Sequence, residues 1–465
     1  MKNHILTVAL CALGMFAAGC DDFLEELPQS SAASANFYKN DNDVKNAVNA
    51  CYANLQKSQL YGEFMINMAE TRSDNIEDQN PGGNAGRDYN IDKFTAGADN
   101  AAITAVWQYS YNTIMRCNAV IQNIGACSVE SNKIQFEAEA RFLRALMYFN
   151  IVRFWGDAPL VLTQITSEQS VNARRDEASK IYDAIVDDLN FAATNLPKSY
   201  DKTEMGRATS GAALALLGKV YLTQQKWADC KTTLQRLMSS EFDGVYELLP
   251  DVAEVFKMEN KLNKEMVFVV HYSKVVVGEG HNFSQYYKNA SLLDRALRTA
   301  YEDNDARKGL LETISIDKDN TPFVKFYDTF DLTTKNVGYD QPVIRYADVL
   351  LMYAEALNEI SFDASESSEA LKYLNQVRTR SGATAYKAAD LNSKDKFREQ
   401  LMEERRLEFP LECHRWFDLI RTNTAEAAMA KVGLNITKND YLYPIPKYEM
   451  ELCPNLTQNP GYSDK

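Results

Sequence analysis

Residues 345–358 read RYADVLLMYAEALN. Its apolar residues recur three and four positions apart, which is the period of a helix that buries one face. A second helical pattern follows, so that Ile344–Glu359 and Ser367–Ser381 can form an antiparallel pair. The stretch therefore predicts that this part of the chain is built from paired helices.

The clearest helix pair lies upstream, in Gly206–Ser239. Its marker residues are spaced as in a tetratricopeptide repeat, where small residues let two helices approach and large ones fill the gap between pairs. These markers are Leu217, Gly218, Tyr221, Trp227 and Cys230. A looser pair combines Phe136–Trp155 with Ala178–Leu196. We therefore expect a mostly α fold with a tetratricopeptide-like scaffold.

The middle of the chain differs in composition from the helical segments around it. Met266–Val270 is a continuous apolar run that predicts a buried strand, and aromatic and glycine residues follow it. The predicted organisation is a tether at 20–40 and a single domain at 41–465. That domain divides into scaffold at 41–240 and 341–425, a partly β insertion at 241–340, and a tail at 426–465.

Charge and histidine content exclude several functions. The 465 residues include 50 Lys+Arg and 64 Asp+Glu, giving a formal charge of −14, and no basic block that could bind nucleic acid. Beyond His4, only His271, His281 and His414 could act as near-neutral proton shuttles. The chain has no GxSxG, HExxH, Walker A or GxGxxG motif. We expect no catalytic residue, metal or cofactor.

The N-terminus has the pattern of an exported lipoprotein. Residues 1–19 combine a basic start with an apolar run too short to span a bilayer, which indicates a signal peptide. Ala17-Ala18-Gly19-Cys20 resembles a bacterial lipobox, so Cys20 is the predicted lipidation site. Cys11 lacks the preceding small residue, and ordinary secretory cleavage nearby is the alternative. Removing 1–19 changes the formal charge from −14 to −15.

The remaining cysteines are widely spread and show no CxxC spacing or Cys/His ligand spacing. They are Cys51, Cys117, Cys127, Cys230, Cys413 and Cys453. A chain of this length does not need disulfides to stabilise its core. We therefore expect scattered thiols, most of them buried.

Four ordered motifs give the chain a recognisable pattern. They are the helix at 345–358, LNQVRTRSG at 374–382, the charged block from Glu404 to Arg421, and the tail from Tyr443 to Tyr462. Together with EARFLRA at 139–145, they resemble the SusD/RagB family of outer-membrane nutrient-binding lipoproteins over nearly the whole chain. Pro410, Cys413 and Cys453 depart from the family pattern, and each of them lies in a motif with a structural role.

The resemblance implies a lipid-anchored protein on the outer membrane that faces the cell exterior. Such a protein covers a SusC-like TonB-dependent transporter and captures an oligomeric nutrient, most often an oligosaccharide or polysaccharide. It implies four tetratricopeptide-like helix pairs with ligand-binding loops on an irregular insertion. Two alternatives remain open: a peptide-binding lid of a RagA-like importer, and a structural lid with little affinity of its own.

The charged block is a weak candidate for catalysis. Its acids and arginines recur three and four positions apart on helices, a spacing that forms ion pairs. They are Glu403, Glu404, Glu408, Glu412 and Asp418 with Arg405, Arg406, Arg415 and Arg421. We expect them to brace the scaffold, and we expect His414 to be a hydrogen-bonding group rather than a base.

The predicted ligand residues lie in two regions instead. A sugar stacks its C–H face on an aromatic ring while carboxylates, amides and Arg bind its hydroxyls. The long polar segment 70–100 offers Asn75, Asp78, Arg87 and Tyr89, along with Asp88 and Phe94. The insertion offers Phe283, Tyr286 and Tyr287, along with Tyr272 and Gln285.

The positions of the four tryptophans narrow the kind of binding site that we expect. Trp107, Trp155, Trp227 and Trp416 all fall in helical motifs, so we expect all four in the core and none in a broad stacking platform. This favours a site built on Tyr, Phe and Arg. The negative charge of the chain favours a cationic nutrient over a heavily sulfated one.

Overall fold

The computed structural model describes residues 37–276, 278–281, 296–315, 323–328 and 337–462. The predicted signal peptide, Cys20 and most of the tether lie outside these residues. Within them the chain is mostly helical with one small sheet, as the sequence predicts. In these ranges, every helix is too short or too polar to cross a membrane.

The helices, in chain order, are α1 (Asp41–Leu55), α2 (Phe64–Ile66), α3 (Arg87–Asp92), α4 (Ala101–Gln122), α5 (Glu130–Trp155), α6 (Ser167–Val171), α7 (Ala178–Asn195), α8 (Ser210–Thr223), α9 (Trp227–Leu237), α10 (Val252–Val255), α11 (Arg307–Leu310), α12 (Tyr346–Ile360), α13 (Glu369–Arg380), α14 (Lys394–Glu408), α15 (Arg415–Arg421), α16 (Ala425–Lys431) and α17 (Lys447–Leu452). A π-helical turn, Asn67–Thr71, directly follows α2. The strands are β1 (Met266–Val270) and β2 (Gln341–Arg345).

The longer helices stack side by side in chain order. Helix α1 packs on α4, α4 on α5, α5 on α7, α7 on α8, and α8 on α9. Beyond the insertion the stack continues, because α9 packs on α12 and α12 pairs with α13. The three helix pairs predicted from the sequence are therefore confirmed: α5 with α7, α8 with α9, and α12 with α13.

Polar side chains define where the scaffold helices begin. The side chains of Asn40, Asn100 and Thr209 accept amide hydrogen bonds from the first turns of α1, α4 and α8. Helix α5 ends at Gly156, whose φ of 70° lies in the left-handed region that favours glycine. Local sequence therefore determines these boundaries before any tertiary packing.

Gly218 allows the close approach of α8 and α9. A Cβ atom at this position would lie 2.3 Å from the Cδ2 atom of Leu234 in α9. Because no side chain can occupy that space, the small residue in the repeat pattern is a packing requirement. Cys230, on the facing helix, is fully buried.

The tryptophan prediction is right for three residues of four. Trp107, Trp155 and Trp416 are buried in the main core. Trp227 is only partly buried, because it is the first residue of α9 and packs against the margin of that core. All six predicted thiols are unpaired; four are buried, and Cys127 and Cys413 are half-buried.

The predicted strand Met266–Val270 is confirmed as β1, which pairs antiparallel with β2. Strand β2 contradicts the prediction that the following helix includes Ile344 and Arg345. Arg345 is extended, and the helix begins at Tyr346, whose N–H donates to the Glu265 carbonyl at 2.8 Å. Pairing with β1 thus holds 341–345 out of the helix.

Candidate ligand-binding cleft

A cleft of about 540 Å³ lies where residues 74–77 meet helices α14, α15 and α16. Six of its nine lining residues are charged, in contrast to a mainly apolar groove of about 460 Å³ between α4 and the C-terminal segment. The lining residues are Asp74, Glu77, Ala296, Glu403, Arg406, Arg415, Ala428, Lys431 and Val432. The cleft therefore brings the segment 70–100 together with the insertion, through Ala296, and with the charged block.

The segment 70–100 is not the long polar loop that the sequence predicts. Residues 71–76 are buried, 87–92 form α3, and the longest exposed stretch is 79–85. The buried polar side chains have partners in the C-terminal third of the chain, so their burial leaves few hydrogen bonds unmade. This segment forms a cleft wall rather than a free loop.

Asp74 and Arg415 form the firmest contact in that wall. The Nε and Nη2 atoms of Arg415 donate to the two carboxylate oxygens of Asp74 at 2.7 and 2.8 Å. Burial alone would raise the pKa of the Asp74 carboxyl, but the hydrogen bonds and charge of Arg415, with Arg406, hold it below its ordinary value. Asp74 is therefore an ionised, fixed acceptor.

Arg406 lies beside this pair. Its Nε atom donates to Asn75 Oδ1 at 2.9 Å, and it lies 3.7 Å from an Asp74 carboxylate oxygen and 3.5 Å from one of Glu403. Asn75 is almost completely buried, and its Nδ2 atom has no hydrogen-bond partner among the residues that the structure describes. The predicted ligand residue Asn75 thus supports Arg406 from behind.

The rim next to Asp74 carries two further predicted residues. Glu77 lies 3.4 Å from the Lys93 ammonium group, which in turn lies over the Tyr89 ring. Asp78 is half-buried, its N–H donates to Asp92 Oδ2 at 3.2 Å, and burial raises the pKa of its carboxyl. Tyr89 and Asp78 therefore lie near the rim, although neither lines the cleft.

Arg87 lies away from the cleft lining. Its guanidinium donates to Asp88 at 2.7 Å and to Glu63 at 2.6 Å, and it stacks over the Phe64 ring at 4.3 Å. These contacts anchor the start of α3 to α2. The structure thus places Arg87 in an ion-pair cluster, and its role in ligand binding stays a prediction.

Of the residues predicted as ligand contacts in the insertion, the structure describes Tyr272. Phe283, Gln285, Tyr286 and Tyr287 lie outside the described residues. Tyr272 is fully buried, with its ring centroid 4.1 Å from that of His281, so it packs in the core instead of facing a ligand.

Phe94 is likewise a packing residue. The guanidinium of Arg72 lies 4.5 Å from the Phe94 ring centroid, and that ring lies 5.5 Å from the Trp416 ring. The adjoining backbone turn gives Phe94 a φ of 59°. These contacts tie the end of segment 70–100 to α15.

The rest of the charged block forms a buried lattice. Arg345 is fully buried and donates to Glu265, Glu408 and Glu412 at 2.6 to 2.9 Å. Arg307 and Arg380 also bind Glu408. The lattice connects β2, α13 and α14 with the insertion, which fits the predicted bracing role.

His414 is also a hydrogen-bonding group, as predicted. Its Nδ1 atom lies 2.6 Å from the Lys219 ammonium group, which bonds Asp348 at 2.9 Å. Burial lowers the pKa of His414 to about 3, and the neighbouring charge of Lys219 acts in the same direction. His414 is therefore neutral and enclosed by the scaffold.

Six charged residues that line the cleft are absent from the ligand candidates predicted from the sequence. Arg406, Arg415 and Glu403 were assigned only to bracing, and Asp74, Glu77 and Lys431 belong to no motif. The sequence does contain a feature that could have pointed to Arg406 and Arg415, because these two arginines flank the turn between α14 and α15. A single sequence does not show which side of that turn faces solvent.

Comparisons with known proteins agree with this architecture. A family model described as "SusD family" matches residues 320–462, and one described as "Starch-binding associating with outer membrane" matches 22–222. SusD-like protein P2 of Formosa agariphila is 29% identical, over 99% of this chain and all of that protein. The two family models therefore match different parts of the chain, and the similarity to SusD-like protein P2 includes both parts.

Solved structures give the same result. A laminarin-binding SusD-like protein has a TM-score of 0.76 and 25% identity, covering 91% of this chain and all of its own. Surface glycan-binding protein A from Bacteroides uniformis has a TM-score of 0.77 at 21% identity, covering 90% and 99% respectively, which shows the shared fold. With the ordered motifs, the helix-pair scaffold and these matches, the chain belongs to the SusD family.

Proposed function

We propose that this protein is a cell-surface lipoprotein that binds an oligosaccharide or polysaccharide and delivers it to a SusC-like TonB-dependent transporter. The observation that carries the proposal is the charged cleft beside Asp74, Arg406 and Arg415. The similarity to a laminarin-binding protein supports a glycan as ligand. The match to a family described as associating with the outer membrane supports that location, and the lipobox-like stretch Ala17-Ala18-Gly19-Cys20 supports anchoring through Cys20.

The cleft suits the hydroxyl groups of a sugar. A guanidinium presents five N–H donors in a rigid plane, and a carboxylate accepts from several hydroxyls at once. Because Asn75 takes the Nε donor of Arg406, it sets the plane of that guanidinium at the cleft wall. Glu77 and Glu403, each about one-third exposed, supply acceptors at the rim.

Aromatic stacking would come from Tyr89 at the rim and from the insertion. Ala296, a cleft residue, directly follows the part of the insertion that contains Phe283, Tyr286 and Tyr287. The apolar faces of sugar rings pack on such side chains. The proposed site therefore combines Arg and carboxylate groups with Tyr and Phe, and uses no tryptophan.

We propose binding without turnover. Hydrolysis of a glycosidic bond commonly needs one carboxyl group that stays protonated near neutral pH beside a second, ionised one. Asp74 cannot supply the proton, because Arg415 holds its pKa below the ordinary value. Its two bonds to Arg415 also fix its position in the wall.

Calorimetry on the soluble chain from residue 21 tests the proposal against laminarin oligosaccharides, other neutral glycans and a peptide pool. Arg406→Ala and Tyr89→Ala should each weaken glycan binding about tenfold. Arg398→Ala is the matched control, because Arg398 lies on the same helix and pairs with Glu359 away from the cleft. Incubation with the bound glycan should release no new reducing ends.

Three results would contradict the proposal. Flat traces with every glycan and saturation by peptides would indicate a peptide importer. Equal binding by the Arg406→Ala and Arg398→Ala variants would place the ligand elsewhere. Glycan binding that appears only after co-purification with a transporter would indicate a structural lid.

A further inference from the structure

Two of the free thiols lie next to each other between α1 and α4. Cys51 belongs to α1 and Cys117 to α4, and both side chains are completely buried. The Cys51 thiol donates to the Ala47 carbonyl oxygen at 3.3 Å. Burial raises the pKa of the Cys117 thiol well above its ordinary value, and its hydrogen bond with the Cys51 thiol adds to the rise. The two sulfur atoms are therefore neighbours, although the residues lie 66 positions apart in sequence.

Hydrogen bonds on both sides of this pair show that α1 and α4 run antiparallel. At the start of α1, the Asp41 carboxylate accepts from the N–H of Ser128, a few residues beyond the end of α4, at 2.8 Å. Near the end of α1, Asn54 Nδ2 donates to Thr113 Oγ1, in the middle of α4, at 2.7 Å. The two contacts fix the register of one helix against the other.

This register places Cys51 directly opposite Cys117. Cys51 comes three residues before Asn54, and Cys117 comes four residues after Thr113. Each cysteine therefore lies about one turn from the Asn54–Thr113 contact, on the same face of its helix. All four facing residues are small, which allows the two helices to approach closely. A disulfide needs Cβ atoms about 4 Å apart, and opposed positions on closely packed helices can provide that distance.

We propose that Cys51 and Cys117 form a disulfide in the exported protein and thereby join α1 to α4. The inference rests on the proposed function, because disulfides persist in the oxidising compartments that an exported lipoprotein enters. Helix α1 is the first helix of the stack and directly follows the predicted tether at 20–40. A terminal element separates from a fold most easily. The disulfide keeps the helix that carries the tether attached to the scaffold.

The oxidant is a second disulfide, such as oxidised glutathione or the disulfide of an oxidoreductase. The thiolate of one cysteine attacks an oxidant sulfur, the oxidant S–S bond breaks, and a mixed disulfide forms as one thiolate leaves. The thiolate of the other cysteine attacks the chain's sulfur in this mixed disulfide and releases the second thiolate. The two thiol protons pass to the two released thiolates. The chain thus loses two electrons and two protons, and the oxidant is reduced to two thiols.

The burial of both thiols indicates when this exchange takes place. Thiol–disulfide exchange needs a thiolate that an oxidant can reach. In the folded chain neither sulfur is exposed, and burial keeps Cys117 protonated. The exchange therefore occurs during folding, before α1 packs on α4.

Oxidative refolding of the soluble chain from residue 21 tests the proposal. The chain contains six cysteines and is refolded from urea with reduced and oxidised glutathione, then unfolded and alkylated with iodoacetamide. Mass spectrometry should find four alkylated thiols without reduction and six after reduction. Trypsin should leave the peptides 46–57 and 117–133 joined. Because the second peptide also contains Cys127, the digest uses a Cys127→Ser background.

A matched pair of variants measures what the disulfide contributes. The Cys51→Ala/Cys117→Ala variant should show four alkylated thiols with or without reduction. Cys230→Ala, which removes a fully buried thiol from α9, should show three before reduction and five after it. The oxidised wild type should unfold about 5 °C above the same protein refolded with dithiothreitol. This difference should persist in Cys230→Ala and disappear in the double variant.

Six alkylated thiols after oxidative refolding would overturn the proposal, as would a joined peptide that contains a different pair of cysteines. Equal unfolding midpoints with and without dithiothreitol would show that the link does not hold α1 to the scaffold. Alkylation of the full chain from bacterial membranes, with proteolysis of intact cells, separates this inference from the proposed function. A surface-exposed chain with six free thiols would overturn the disulfide alone. A chain that is absent from the surface would overturn the proposed function, while refolding still tests the pairing.

Discussion

The buried lattice around Arg345 and the cleft around Arg406 use the same residue types and share helix α14, which carries both Glu408 and Arg406. Arg345 is completely buried and bonds three carboxylates, whereas the side chains of Arg406 and Arg415 are 12% and 11% exposed. In the lattice every charge is enclosed by opposite charges. In the cleft, Arg406 and Arg415 bond to Asn75 and Asp74 in the wall, and their side chains remain partly exposed to solvent.

The acids of the lattice show the same difference. Burial alone would raise the pKa of Glu408, yet Arg380, Arg345 and Arg307 lower it far below its ordinary value. An acid surrounded in this way accepts no ligand. Burial and the number of opposite-charge partners, and not residue type, therefore separate the bracing lattice from the proposed binding site.

Removing Arg345 should have the largest effect. In Arg345→Met, Glu265, Glu408 and Glu412 remain buried after losing a shared cation. Breaking a buried ion pair from one side costs about 3 to 5 kcal/mol, so we expect a loss of that size in the free energy of unfolding. Urea denaturation followed by circular dichroism measures it.

Arg398→Met is the matched control on α14. Arg398 is about one-third exposed and its pair with Asp395 lies at the surface, while Glu359 keeps the Lys394 ammonium group at 3.1 Å when Arg398 is replaced. Its replacement should cost less than about 1 kcal/mol. An Arg345→Met protein as stable as the Arg398→Met protein would show that the lattice does not hold the fold.

Glu70 is a buried acid that lies between the two regions. Its Oε1 atom accepts the Cys413 N–H at 2.5 Å, and its Oε2 atom has no hydrogen-bond partner among the described residues. Burial raises the pKa of Glu70 from 4.5 to about 7, and the amides of Cys413 and Leu411 only partly oppose that shift. Unlike Glu408, it is not enclosed by arginines.

The sign of the pH effect follows from this shift. Between pH 4.5 and about 7 the folded protein holds a proton on Glu70 that the unfolded chain releases, so stability falls as the pH rises. Glu70→Gln keeps an acceptor for Cys413 and removes this contribution. The variant should be more stable than the wild type by up to about 3 kcal/mol at pH 8 and nearly equal to it at pH 4.

Thermal and urea unfolding from pH 4 to 8 measure the effect. Glu399→Gln, on the exposed face of α14, is the control and should change stability by less than about 0.5 kcal/mol. A Glu70→Gln protein with the wild-type slope across this range would show that Glu70 titrates normally in the folded state.

Sequence predicts the scaffold well because its signals are local. The helical period, the caps and Gly218 each act within one helix pair, and all three predicted pairs form. Strand β2 was missed because its partner lies more than 70 residues earlier and because 341–345 runs directly into α12. A short strand that runs directly into a helix is therefore easily assigned to that helix from sequence alone.

The cleft could be predicted only in part. Asn75 and Asp74 appeared exposed because their arginine partners lie 331 and 341 residues away in sequence. Polarity alone does not distinguish a solvated loop from a buried segment with distant partners. The sequence predicts a ligand site beside segment 70–100, but it does not predict that Arg406, and not Arg87, lines the cleft there.

Arg415→Ala should have an intermediate effect on stability and a clear effect on the proposed binding. It removes both hydrogen bonds to Asp74 while Arg406 stays within 3.7 Å, so we expect a loss of about 2 kcal/mol in unfolding free energy. Glycan affinity should fall because the cleft wall loses its anchor. Calorimetry and urea denaturation on one preparation measure both quantities.

Arg415→Lys distinguishes the two effects. Lysine keeps the charge but cannot make the two-pronged contact, so it should recover more stability than affinity. Recovery of full affinity would mean that only the charge of Arg415 matters to the cleft.

Lys431 should show the smallest effect and completes the comparison. It is the last residue of α16, its side chain is exposed in the cleft lining, and no ion pair joins it to the described chain. Lys431→Gln should change stability by less than about 0.5 kcal/mol and affinity for a neutral glycan by less than about twofold. Affinity for a uronate-bearing glycan should fall further, and most at low salt, because an exposed charge acts through a screened field. A large loss of stability would instead place Lys431 with the enclosed charges of the lattice, and the distinction between brace and binding site would fail at the residue where it should be clearest.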